Sequence, residues 1–130
     1  MLRSLIACSA ILLAAVTARA ATNDESVDFK TCAKKAHGAT YPMLHCYSEE
    51  MKAADDAMTA TYDRVREDIA NPTTKNYLTR SQKAWEDYRD AWCEATVSRS
   101  GSLARIRLME CRIDETKKRT QALADLAGPQ

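Results

Sequence analysis

The sequence predicts an all-α fold: an antiparallel up-down bundle of three long helices plus a short N-terminal helix, stapled by disulfides. Three observations predict it. Apolar residues recur in steps of three and four over long stretches, the period of an amphipathic helix. The 130 residues include only three glycines, three prolines and one phenylalanine, a composition that favours helices joined by short turns. Four cysteines flank two turn-prone stretches at equal distances: Cys32 and Cys46 about Gly38–Pro42, Cys93 and Cys111 about Ser100-Gly101-Ser102. Cysteines equidistant from a turn between antiparallel helices end up opposite each other.

Residues 1–20 read as an export signal. Met1-Leu2-Arg3-Ser4 is a short basic segment, and Leu5 to Val16 is an uncharged apolar run. That run is too short for a bilayer, which needs about 20 residues. Ala18-Arg19-Ala20 fits the small-x-small cleavage rule, so Ala21 is the expected mature N-terminus. Leu5-Ile6-Ala7-Cys8 also fits a lipobox, which would make Cys8 a lipid anchor. A lipobox cysteine follows the apolar run, whereas here the run continues through Val16, and this favours plain cleavage. The expected location is periplasmic or secreted, with no membrane span.

Losing Arg3 and Arg19 takes the formal net charge from +1 to −1 and leaves four cysteines. An even count in an exported chain favours disulfides over metal or redox chemistry. A net charge near zero provides no electrostatic case for nucleic acid or an anionic membrane as partner. The remaining length suits one domain.

Residues 21–28 are polar and expected to be disordered. A single helical domain is expected over residues 29–127. Its first helix covers Phe29 to Ala36 and ends with Gly38 as cap; Pro42 suits the first turn of the next. The second helix carries the stripe Leu44, Tyr47, Met51, Ala54, Met58, Tyr62, Val65 and Ile69. Asn71-Pro72 stops it, and Thr73 or Thr74 is expected to cap its successor. There the stripe reads Leu78, Ser81, Trp85, Tyr88, Trp92 and Ala95, placing Trp85 and Trp92 in the core. Ser100-Gly101 breaks that helix, Ser102 is the expected cap, and Leu103, Ile106, Met109, Ile113, Thr116, Thr120 and Leu123 stripe the last one. The short turns put all four cysteines near one end. Spacing favours Cys32–Cys46 and Cys93–Cys111, although Cys46 also comes within range of Cys93.

Polar residues interrupt the apolar stripes. The hairpin about Pro72 sets Asp55 opposite Arg89 and Tyr62 opposite Gln82. A buried Asp55–Arg89 pair braced by Gln82 and Tyr62 would fix helix register, and removing one partner would cost about 3–5 kcal/mol; a polar site between the helices is the functional alternative. No constellation of nucleophile, base and orienting group converges, so no catalytic residue, metal ligand or cofactor is assigned. His37 and His45 are expected to be exposed or packing residues. Glu49-Glu50, Asp55-Asp56 and Asp63 fall mostly on a solvated face. Lys117-Lys118-Arg119 reads as a salt-bridged surface neutralised by Asp114-Glu115.

The same segments carry a family resemblance. Ala54-Asp55, Met58 and Tyr62, then Gln82, Ala84-Trp85, Tyr88-Arg89 and Cys93, then Gly101-Ser102, Cys111, Thr116, Arg119 and Leu123 resemble the LprI-type lysozyme-inhibitor domain. Its pattern runs A-D-x-x-L-N-x-x-Y, Q-x-A-W-x-x-Y-R-x-x-x-C, G-S, C, T-x-x-R-x-x-x-L. The resemblance spans Cys32 to Leu123, with Trp85 and Tyr88 at its centre. The chain departs from it at Met58-Thr59, a change that touches packing more than chemistry. The resemblance implies a small, disulfide-bonded, exported bacterial helical protein that inhibits lysozyme; an inhibitor would present acidic groups or a plugging loop, and the candidate loops are Gly38–Pro42 and Ser98–Ser102, both at the disulfide end. The alternative is a structural or stress-related envelope protein with a different envelope partner.

Overall fold

The computed structural model describes residues 26–98 and 100–128. The expected export signal, its cleavage site and Cys8 lie outside the described residues. The described residues form four α-helices: α1 Val27–Ala36, α2 Thr40–Asp68, α3 Pro72–Val97 and α4 Ala104–Leu126, the last preceded by a 3-10 turn, Gly101–Leu103. No strand occurs among the described residues.

Helix α1 starts two residues ahead of the expected Phe29. The Ser26 hydroxyl accepts from the Phe29 N–H and caps the helix, and Asp28 favours the positive end of its dipole. Ser26–Asp28 are therefore cap and first turn rather than part of a loose N-terminus. At the other end His37 takes a left-handed conformation, φ 47°, followed by Gly38 at φ 77°. Two successive left-handed residues make a reversal so tight that Thr40 and Pro42 already lie in α2. The cap of α3 is Asn71, not Thr73 or Thr74: its Oδ1 accepts from both of their N–H groups, and Pro72 takes the first helical position, where no N–H is needed. Before α4 the 3-10 turn takes up the bend, and Leu103, not Ser102, occupies the cap position without a side-chain bond.

The turns bring the cysteines together as two bonds, Cys32–Cys46 with Cα atoms 5.7 Å apart and Cys93–Cys111 with 5.6 Å. Cys46 and Cys93 are fully buried. The first bond ties α1 to α2 and the second ties α3 to α4. Helix α4 packs against both α2 and α3, and its interface with α2 is the larger.

The core divides into two apolar clusters. Phe29, Ala36, Cys46, Tyr47 and Ile113 form one at the disulfide end, with Met43, Met51, Ile106 and Met109 against it. Met58, Val65, Leu78 and Leu123 form the other, flanked by Tyr62, Ile69, Trp85 and Ala127. Each fully covered aliphatic or aromatic side chain contributes about 1.5–3 kcal/mol.

The stripe expected on α3 is corrected by the packing. Its buried residues are Leu78, Gln82, Cys93 and Val97. Trp92 is 48% exposed and Tyr88 52% exposed, their rings stacked with centroids 6.3 Å apart. Ser81 and Ala95 are exposed as well. The cause is the second disulfide: Cys93 must face α4, and on a helix that turns Trp92 about 100° away from the core.

Candidate functional site

Two regions concentrate polar chemistry. The first lies between the two apolar clusters, where α2, α3 and α4 meet. Arg89, whose side chain is 15% exposed, donates from one terminal nitrogen to Asp55 Oδ1 at 3.3 Å and to Thr116 Oγ1 at 3.1 Å. Its Nε donates to Asp90 at 3.1 Å. Thr116 is fully buried, whereas the Asp55 side chain is 45% exposed. Asp55 and Arg89 thus meet, as the hairpin geometry requires, but at an edge open to water on the carboxylate side.

One turn away, Arg119 donates to Gln82 Oε1 and to Ser81 Oγ, each at 3.0 Å. The buried Gln82 in turn directs its amide to Met58 Sδ and Glu86, each at 3.2 Å. Trp85 separates the two arginines. Arg89 lies 5.1 Å and Arg119 5.8 Å from its ring, a double cation–π contact. Burial lowers the Arg119 pKa, and the neighbouring Tyr62 works in the opposite direction. A guanidinium remains charged throughout the physiological range.

Gln82 and Tyr62 do not brace the Asp55–Arg89 pair. Gln82 serves Arg119 across Trp85, and the Tyr62 hydroxyl donates to Thr79 at 3.2 Å. Thr116 and Arg119 replace them as the working partners. Both residues stand in the motif that carries the family resemblance, so their signal was in the sequence; their spacing along α4 did not say which α3 residues they reach.

The second region is at the disulfide end. Glu50, expected on a solvated face, is 6% exposed. It accepts from Lys117 Nζ at 2.8 Å and from both the backbone N–H and the hydroxyl of Ser26. Burial pushes its carboxyl up, but the bonds from Lys117 and Ser26 outweigh this, and the group ends below its ordinary value. Lys117 is consequently drawn inward and Arg119 turns toward α3, so of the expected basic surface run only Lys118 pairs outward, with Glu115 at 2.8 Å. Tyr47 donates its hydroxyl to Glu110.

Two hollows flank this cluster. One, of about 230 Å³, is lined by Phe29, Tyr47, Glu50, Ile113 and Lys117, and the other, of about 480 Å³, by Thr96, Val97, Ser100, Leu103 and Arg107. Glu110 and Asp114 line both. His37 and His45 are exposed. Among the described residues no group of three His, Cys, Asp or Glu side chains is placed to hold a metal ion, and no helix is long and apolar enough to cross a membrane.

Residues 32–123 match the family described as lysozyme inhibitor LprI. The chain belongs to that family. The matched range begins at Cys32 and takes in both disulfides, the Arg89–Trp85–Arg119 stack and the Glu50–Lys117 pair. No curated protein and no solved structure matches. The LprI match thus encloses the first polar region, all of the second except Ser26 and Phe29, and every residue of the two apolar clusters except Phe29 and Ala127.

Proposed function

We propose that this LprI-family protein is exported, forms its two disulfides outside the cytoplasm, and inhibits lysozyme by stoichiometric binding without turnover. The family match over residues 32–123 is the observation that carries this reading. Two disulfides support export, since such bonds persist in oxidising compartments. The same reading takes the three long helices as an antiparallel up-down bundle, supported by contacts such as Arg89 to Thr116 and Ser81 to Arg119, which run in opposite order along α3 and α4.

The disulfide end is the proposed contact surface. Lysozymes are generally basic, so an inhibitor gains from acidic groups presented beside a shaped surface. Glu110 and Asp114, set between the two hollows, provide that combination despite a net charge near zero. Trp85 and the Asp55–Arg89–Thr116 layer keep a structural role: they hold α4 in register, and α4 carries Glu110 and Asp114. Titration calorimetry of the oxidised protein with purified lysozymes tests the reading. One-to-one binding, weakened by Glu110→Gln with Asp114→Asn, is expected. Absence of heat at micromolar concentrations with every lysozyme type would point instead to an envelope protein with another partner.

A further inference from the structure

The outward face of α3 is built unlike a solvated surface. Tyr77 (64% exposed), Ala84, Tyr88, Ala91 and Ala95 follow one another along it at helical spacing, with Trp92 on its flank. A shallow groove lined by Tyr77, Arg80, Ser81, Lys83, Ala84 and Asp87 runs beside them. No described element covers this face. Exposed aromatics grouped on one face mark an interaction surface.

The charges on the same helix say what kind of surface it fits. Lys75, Arg80 and Lys83 stand in its N-terminal half; Glu86, Asp87, Asp90 and Glu94 stand in its C-terminal half, where the only cation, Arg89, is turned inward. The first turn holds no acidic residue and the last turn no basic one. This layout opposes the helix dipole, which favours anions at the start of a helix and cations at its end. Helix α4 relieves only part of it, through Arg112 to Asp90 and Glu94. Asp87 reaches only Lys83, at 3.9 Å with both side chains in water, and Arg80 has no ion-pair partner among the described residues.

A helix that is basic in one half and acidic in the other is complementary to itself when reversed. We infer that the α3 face pairs with the α3 face of a second copy of this chain, antiparallel about a two-fold axis near Ala84. An isologous contact of this kind uses the same patch on both copies. Of these charges Arg80, Lys83 and Asp87 line the groove on this face, and the reversal brings Arg80 and Lys83 toward the other copy's Asp87. Arg80 meets the other copy's Asp87 and Tyr88, and Tyr77 meets its Ala91. Ala84 at the axis lets the two backbones approach. A single helix face is small for an interface, which sets the dimer in the weak, micromolar class.

Sedimentation equilibrium of the oxidised, full-length secreted protein tests this over a concentration series. The expected result is a reversible monomer–dimer equilibrium. Ala84→Glu, a residue compatible with an exposed helix, abolishes the dimer while the helical circular dichroism is retained. Arg80→Glu and Asp87→Arg each weaken it about tenfold, because a symmetric contact is made twice. Combining the two charge reversals restores it, which a merely misfolded variant would not do. A protein that stays monomeric at about 500 μM overturns the inference. So does a dimer indifferent to Ala84→Glu, or charge reversals that fail to rescue each other. Lysozyme binding is measured on the same variants; if Ala84→Glu removes that binding from a monomeric protein, the face serves lysozyme and not a second copy.

Discussion

Lys117 donates to Glu50 at 2.8 Å across the α2–α4 interface, and the Glu50 carboxylate also receives two bonds from Ser26 at the start of α1. One buried acid thereby ties three helices together. These bonds hold the carboxyl below its ordinary value of 4.5. A depressed folded-state pKa contributes stability that is fully present above the ordinary value and is lost as pH falls through the folded one. The melting temperature should therefore fall as the pH drops below about 4.5, and less steeply in Glu50→Gln. At neutral pH that variant should be about 1–3 kcal/mol less stable, because the charge-assisted bond from Lys117 is replaced by a weaker one to a neutral amide. Thermal melts of both proteins across this range check the prediction; parallel curves would show that Glu50 does not set the acid sensitivity of the fold.

Arg89 satisfies the buried Thr116 and the half-exposed Asp55 from one nitrogen. Arg89→Met should destabilise the fold by about 1–3 kcal/mol, chiefly by leaving Thr116 without its donor. Water screens the orphaned Asp55, so adding Asp55→Leu should recover little of the loss, whereas Thr116→Val should recover more. Denaturant unfolding of the three variants ranks these effects.

Non-reducing peptide mapping of the oxidised protein lacking residues 1–20 should return Cys32–Cys46 and Cys93–Cys111 and no free thiol. Each closed loop of about 15–20 residues contributes about 3 kcal/mol through the entropy of the unfolded chain. Reduction should thus lower the melting temperature sharply and loosen the disulfide end first.

The sequence was most legible where one geometric constraint acted alone. The cysteine pairs could be read because each pair straddles a turn at equal distance. The α2 stripe could be read because Tyr47, Ala54, Met58 and Val65 are its only strongly apolar face, and all four are buried. On α3 two faces compete. Tyr88 and Trp92 belong to an outward apolar face, while Gln82 and Arg89 occupy the inward one. Periodicity reports that a face is apolar, not that something covers it. Glu50 was misplaced for the converse reason: its burial depends on Ser26 and Lys117, which spacing along α2 does not reveal.

Inhibition by binding is decided by a cell-wall lysis assay titrated with the oxidised protein. Residual lysozyme activity should fall linearly with added protein and reach its floor at one equivalent. The floor should not deepen with time, as it would with turnover, and prior reduction of the disulfides should abolish the effect. Undiminished lysis by both chicken-type and goose-type lysozyme at micromolar excess would contradict it.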